Sequence, residues 1–141
     1  MCKFLGLAAI AAGTLALAQP AAAQDCKAGP FTIYFEFDRN SITPAGAAIL
    51  DQAAAAYKAC GRAEITIAGH TDRRGDESYN IGVSQRMASN VRAYLAGRGV
   101  PDGAMTTAAY GESRRAVETT DGVSEPRNRR VEVSFGPGSG W

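Results

Sequence analysis

The feature that most constrains the fold is a change of hydrophobic period within residues 64–95. Residues 64–68 (EITIA) alternate polar and apolar side chains, which predicts a short β-strand. From residue 79 onward the apolar side chains recur at helical spacing, which predicts a helix. The polar segment between them, residues 69–75 (GHTDRRG), therefore lies where a strand ends and a helix begins.

Ligands often bind at such a junction, because the first turn of a helix offers free backbone amides and a partial positive charge. The acidic residues of the segment also have a simpler interpretation. Asp72 or Asp76 can serve only to cap the helix that follows. The residues themselves leave both interpretations open.

The flanking sequence predicts the other elements. Residues 31–37 alternate and form a strand, residues 105–110 form a second, and residues 129–135 form the last, with Val131, Val133 and Phe135 facing inward. Thr43 and Pro44 begin a helix that ends near Lys58.

The helix after the polar segment begins near Asp76 or restarts at Ser84, and Gly97 and Gly99 end it. Residues 112–127 predict a polar loop. The order β-α-β-α-β-β with right-handed crossovers predicts an α+β two-layer sandwich, in which both helices cover one face of a mixed four-stranded sheet.

Three blocks of residues resemble the signature of the OmpA-like C-terminal domain family, of the OmpA, Pal and MotB type. The resemblance covers roughly residues 31–135. The second block is Gly111-Glu112 and the third is residues 128–132 (NRRVE). The matching positions of the first block are Gly69, His70, Thr71, Asp72, Gly75, Tyr79, Asn80, Ser84 and Ala88.

The resemblance implies non-covalent binding of peptidoglycan through the diaminopimelate of its stem peptide, without a cofactor. It assigns Asp72 to the ligand's ammonium group. Thr71 and Asn80 would add hydrogen bonds, and the amides near Asp38 and Arg39 would receive the carboxylate.

The sequence departs from the family pattern at one position. The family's arginine that pairs with the ligand's carboxylate directly precedes the alanine of its R-A pair, and Met87 stands there in this chain. Arg86 is the neighbouring candidate, although consecutive helical residues point about 100° apart. Arg129 and Arg130 are the others. Because alternation along a strand lets only one of them face the site, we favour Arg130.

His70 also permits a catalytic interpretation, since it is the single histidine and lies near Asp72. The sequence lacks a G-x-S-x-G elbow, and one histidine with scattered acids does not form a metal site. A structural role for His70 is the stronger hypothesis, and a periplasmic hydrolase is the weakest of the functions considered.

Composition indicates one small globular domain. The chain has 141 residues, 45% of them hydrophobic, and a formal charge of +1. Such a balance gives no support to a nucleic-acid or anionic-membrane partner.

Residues 1–23 resemble a secretory signal peptide, a retained N-terminal anchor being the alternative. A short leader (24–30), the domain (31–135) and a flexible tail (136–141) follow. We therefore expect an exported, periplasmic protein, associated with peptidoglycan at the outer membrane of a Gram-negative-type cell.

Cleavage would leave two cysteines, Cys26 and Cys60. In an oxidising compartment such a pair predicts a disulfide, and a helix that returns antiparallel to its strand would bring the two together. Two free buried thiols are the alternative. Asp25 directly before Cys26 is incompatible with a lipoprotein cleavage box.

Two classes of function follow from these expectations. The first is a non-enzymatic module that binds the cell wall. The second keeps the fold but has weakened or lost that binding because of Met87, and serves as a structural or protein-interaction domain whose partner is another envelope protein.

Overall fold

A computed structural model describes residues 29–37, 39–60 and 63–136 of the protein. The predicted signal peptide, Cys26, Asp38 and nearly all of the predicted tail lie outside these ranges. The pairing of Cys26 with Cys60 therefore stays a prediction.

The secondary structure follows the predicted order β-α-β-α-β-β. In chain order the elements are β1 (Phe31–Tyr34), α1 (Pro44–Cys60), β2 (Ile65–His70), α2 (Glu77–Gly97), β3 (Met105–Ala109) and β4 (Arg130–Phe135). The sheet has the order β1-β4-β2-β3, in which β2 and β3 are parallel and β4 is antiparallel to β1 and β2. The predicted mixed four-stranded sheet of an α+β fold is confirmed.

Both helices pack on the same face of the sheet. Ile33 and Gly69 are register partners of Val131 and share its face. A Cβ built on Gly46 of α1 would contact Ile33, and one built on Gly69 would contact Ser84 of α2. The core lies between these two layers and contains the inward residues of all four strands, among them Ile33, Ile65, Ile67, Met105, Val131, Val133 and Phe135.

The start of α1 agrees with its sequence. Thr43 Oγ1 accepts a hydrogen bond of 3.1 Å from the backbone N–H of Gly46, which is the N-cap interaction expected of threonine. Pro44 is the first helical residue. Its missing N–H removes no hydrogen bond from the helix, because the N–H groups of the first turn have no acceptor within the helix.

Strand boundaries differ from the prediction by one to three residues, and α2 follows one of its two predicted alternatives. β1 ends at Tyr34, before the predicted residue 37, because its partner β4 begins at Arg130, the residue paired with Tyr34. Phe37 lies beyond the ladder and is 44% exposed. The helix α2 runs without interruption through Gly82 from Glu77, so it begins next to Asp76 and does not restart at Ser84.

Gly69 fixes the distance between β2 and α2. A Cβ added to Gly69 would lie 2.1 Å from the backbone oxygen of Ser84, far inside van der Waals contact. A residue without a side chain is therefore required for the strand and helix to approach this closely.

Within the described ranges, neither helix combines the length and the apolar character needed to cross a bilayer.

We expect Gly69→Ala to lower the free energy of unfolding by about 1–3 kcal/mol or more, since the new methyl group displaces backbone atoms of α2. Chemical denaturation followed by circular dichroism measures the loss. Gly97→Ala is the matched control, because nothing lies within 4 Å of a Cβ at Gly97. Equal stability of the two variants would show that the close approach is not a constraint.

Candidate functional site

The candidate site lies at the carboxyl end of β2, where the chain enters α2. Thr71 is held there by a 2.8 Å hydrogen bond from its N–H to the carbonyl of Gly111, and its hydroxyl donates to the carbonyl of Asp72. Gly75 has a φ of +81°, a left-handed conformation that turns the chain into the helix at little cost for glycine. Asp76 occupies the N-cap position but makes no side-chain capping bond.

Asp72 is the buried anion of the site. Its side chain is 3% exposed, and Oδ2 lies 2.6 Å from Nη1 of Arg129. Oδ2 also accepts from the N–H of Glu125 at 3.3 Å, and Oδ1 accepts from the N–H of Arg74 at 3.2 Å. Asp72 therefore does not cap α2. Its carboxylate is directed toward the segment before β4.

Asn80 connects the first turn of α2 to this segment. Its side-chain amide donates to the carbonyl of Asp72 at 3.3 Å and to Glu112 Oε2 at 3.1 Å. Gly111 and Glu112, the second matching block of the sequence, thus contact the first block directly. The buried amide of Asn80 positions the loop that carries Asp72.

A cavity of about 250 Å³ opens beside Asp72. Three separate segments supply its walls: residues 35–37 and Arg39 after β1, side chains between residues 71 and 87 from the loop and α2, and Arg129 before β4. Val83 and the buried Met87 make the α2 wall apolar. The cavity thus combines one buried ion pair with an uncharged wall.

Two further arginines line the cavity. Arg39 is 72% exposed and lies 3.7 Å from Glu36, which is also exposed. The guanidinium of Arg74 lies over the ring of Phe37, 3.5 Å from its centre. The sequence suggested a ligand role for the backbone amide near Arg39 but not for its side chain, and none for Arg74, although Arg74 lies inside the polar segment that marks the site.

The structure brings three of the predicted site residues together at the cavity: Thr71, Asp72 and Asn80. Arg86 is exposed and does not line it; its Nη1 lies 3.6 Å from a Cβ built on Gly82, one turn back along α2. Asp38 lies outside the described residues.

Strand alternation favoured Arg130 as the arginine that faces the site, but the structure places Arg129, and not Arg130, at the cavity. Arg130 is buried on the face of β4 opposite to that of Val131, away from the helices. There its guanidinium donates to Glu132 and to the carbonyls of Asn128 and Arg114. Arg129 lies at the cavity because it precedes β4, with φ −85° and ψ 87° after a short 3-10 turn. Strand alternation therefore does not apply to it.

The loop of residues 112–127 is fastened to the site. The guanidinium of Arg73 donates through Nη1 to the carbonyl of Thr119, and the backbone carbonyl of Arg73 accepts from the N–H of Gly122, each at 3.0 Å. Asn128 exchanges two side-chain hydrogen bonds with the backbone of Val117. These contacts hold the loop against the segment that carries Asp72.

His70 lies outside the cavity lining. It is 1% exposed, stacks on Tyr110 with ring centres 5.4 Å apart, and places Nε2 3.7 Å from Glu132 Oε2. Burial, and to a smaller extent the charges of Arg130 and Arg114, lower the pKa of His70 to about 4. A neutral, buried imidazole fits the structural role inferred for it.

Among the residues that the structure describes, no group of three or more His, Cys, Asp or Glu side chains is arranged to hold a metal ion.

Comparison with known proteins gives a consistent result. Residues 34–129 match the OmpA family. A peptidoglycan-associated lipoprotein of Haemophilus influenzae is 41% identical over 104 residues, which cover 74% of this chain and 68% of the relative. Another, from Pasteurella multocida, is 37% identical and covers 79% and 75%.

Solved structures agree. The peptidoglycan-associated lipoprotein of Burkholderia pseudomallei has a TM-score of 0.68 at 33% identity, covering 74% of this chain and 88% of that one. The C-terminal domain of Helicobacter pylori MotB has a TM-score of 0.66 at 22% identity, covering 77% and 86%, and shows the shared fold alone.

We expect the imidazole of His70 to titrate with a midpoint near pH 4, because burial favours its neutral form. Since the unfolded chain binds this proton at about pH 6.5, the contribution of His70 to stability is complete above pH 6.5 and is lost as the pH falls toward 4. The chain has a single histidine, so proton NMR reports this group without assignment. A midpoint near 6.5 would contradict the buried placement.

Proposed function

We propose that this chain, which belongs to the OmpA family, is a non-enzymatic protein that binds peptidoglycan non-covalently through the diaminopimelate of the stem peptide. The site for this ligand is the cavity between the loop after β2, the start of α2 and the segment before β4. Asp72 receives the ammonium group of the ligand.

The Asp72–Arg129 ion pair is the observation that supports this function. The free end of diaminopimelate carries an ammonium and a carboxylate on one carbon, so its receptor needs an anion and a cation side by side. The cavity offers both within 2.6 Å of each other. Thr71 and Asn80, which also line the cavity, hold the loop that presents Asp72.

The size of the cavity selects which part of peptidoglycan enters it. Pockets for drug-sized ligands usually measure roughly 300–1,000 Å³. At about 250 Å³ the cavity lies just below this range, a size that suits the end of one amino-acid side chain. The stem peptide therefore enters the cavity, and the glycan strand remains at the surface.

Relatives support the same assignment. Those from Haemophilus influenzae and Pasteurella multocida are named peptidoglycan-associated lipoproteins, as is the Burkholderia pseudomallei structure. This similarity supports a location in the cell envelope, and we propose that the chain is exported to the periplasm. The signal peptide and the Cys26–Cys60 disulfide form part of this proposal.

The second candidate is an envelope domain that contacts a protein and has weak or no affinity for peptidoglycan. Met87 favours it, since a buried thioether cannot pair with a carboxylate and stands where the family resemblance expects an arginine. Phe37 and Tyr79 line the cavity yet are exposed, which suits an apolar partner segment. The experiment below separates the two candidates.

We expect Asp72→Asn to weaken binding of a diaminopimelate-containing stem peptide at least tenfold, because one charge-assisted hydrogen bond contributes roughly 1.5–3 kcal/mol. Isothermal titration measures the affinity. A thermal melt of each variant is needed, because removing the charge leaves Arg129 buried without its partner.

Asp102→Asn is the matched control. Asp102 also pairs with an arginine, Arg92, at 2.8 Å, but it precedes β3 at the end of the sheet opposite Asp72. A parent protein that binds neither the stem peptide nor purified murein sacculi would exclude the first candidate and favour the second. Equal binding by Asp72→Asn and the parent would show that the ligand uses another site.

A further inference from the structure

We propose that residues 113–117, at the start of the loop after β3, form a segment that opens in mild acid. This covering segment lies over His70 on the face of the sheet opposite the two helices. A proton on the imidazole makes the closed arrangement unfavourable and releases the segment while the core stays folded. His70 and the covering segment lie outside the cavity lining, so the inference does not depend on the proposed function.

His70 points away from the helices yet is shielded from water. It is the register partner of Arg130, whereas the preceding Gly69 pairs with Val131 on the helix side of the sheet. His70 is 1% exposed and stacks on Tyr110, the residue that follows β3. On this face the cover above the imidazole comes from the loop after β3.

Two residues fasten the covering segment. The carbonyl of Arg114 accepts a hydrogen bond of 3.1 Å from Nη2 of Arg130, and the Arg114 guanidinium lies 4.0 Å from the centre of the Tyr110 ring. The backbone of Val117 exchanges hydrogen bonds of 2.9 and 2.8 Å with the side chain of Asn128. Because these contacts lie outside the core between sheet and helices, the segment can lift without unpacking that core.

The charged groups around His70 make a proton there costly. From β4, Arg130 lies beside it in register, and Glu132 Oε2 lies 3.7 Å from Nε2. Glu132 Oε1 is 3.0 Å from Nε of Arg130, so its negative charge is shared. The loop contributes the guanidinium of Arg114, and the end of β3 contributes the ring of Tyr110. An imidazolium therefore faces two guanidinium groups and one carboxylate in a buried environment.

This cost couples protonation to opening. Burial, and then the charges of Arg130 and Arg114, lower the pKa of His70 to about 4, whereas its ordinary value is 6.5. Lifting the covering segment admits water to His70 and removes the charge of Arg114. The open form then binds the proton more tightly than the closed form. Its population therefore begins to rise below pH 6.5 and continues to rise until about pH 4.

Carboxylates also fasten the loop, and they titrate in a lower range. Glu118 pairs with Arg115, and Glu125 pairs with Arg127. Carboxyl groups ordinarily take up protons near pH 4, so these pairs stay largely ionised between pH 7.5 and pH 5. The chain has a single histidine. An opening within that window is thus attributable to the imidazole.

Native-state hydrogen exchange, corrected for the intrinsic rate at each pH, measures this opening. The reporter is the backbone N–H of Val117, and the amides of β2, an interior strand, are the reference. We expect the opening constant at Val117 to rise by up to about 25-fold from pH 7.5 to pH 5, the ratio that the two pKa values allow. It should depend less on added denaturant than exchange of β2, since a local opening exposes little surface.

Two variants and a matched control test the roles of the side chains. His70→Phe keeps a flat ring against Tyr110 but cannot take a proton, so exchange at Val117 should lose its pH dependence in this window. In Arg114→Met we expect the histidine midpoint in proton NMR to rise, because one opposing charge is gone. Arg92→Met, which removes an arginine paired with an aspartate elsewhere, should keep the midpoint of the parent.

Several outcomes would overturn the inference. These are a flat pH profile at Val117 in the parent, a denaturant dependence equal to that of β2, or an unchanged histidine midpoint in Arg114→Met. If His70→Phe does not fold, the parent alone decides. The logarithm of its opening constant at Val117 should then rise by about one per pH unit between pH 6 and pH 5.

Discussion

The approach of β2 to α2 at Gly69 is the constraint on which the rest of the site depends. With no side chain between them, the backbone of the strand contacts the backbone of the helix at Ser84. The hydroxyl oxygen of Ser84 in turn accepts a hydrogen bond of 3.0 Å from the N–H of Gly111. This bond places the loop after β3 beside the same turn of helix. These contacts fix β2, α2 and the loop after β3 relative to one another where the segment carrying Asp72 begins.

The relation between sheet and helix explains why a cavity forms at this end of the domain. The core fills the space between the sheet and the helices along most of their length, with Ile67 and Val91 fully buried. Beyond the last residue of β2 the sheet stops, while α2 has just begun. Side chains from three segments then surround a space that no core residue occupies.

Sequence reasoning predicted the order of elements, the start of α1 and the inward residues of β4, because each depends on local chemistry or on a repeating period. It also placed Thr71, Asp72 and Asn80 together at the strand end. It misplaced Arg130, because the first residue of β4 is set by pairing with Tyr34 and His70, elements distant in the chain. The ion pair of Asp72 with Arg129, 57 residues apart, has no local signal at all.

The loop of residues 112–127 is fastened to the site mainly through backbone atoms, and this has an evolutionary consequence. The carbonyl of Thr119, the N–H of Gly122 and the N–H of Glu125 make the contacts to Arg73 and Asp72. Almost any residue supplies these groups, except that position 125 excludes proline and the φ of +78° at Gly122 favours glycine. Two side chains of the loop also take part, because Glu112 accepts from Asn80 and Ser124 accepts from Arg129. At the other positions, substitutions can accumulate during divergence without moving Asp72. The surface beside the cavity can thus acquire new contacts while the ligand site stays unchanged.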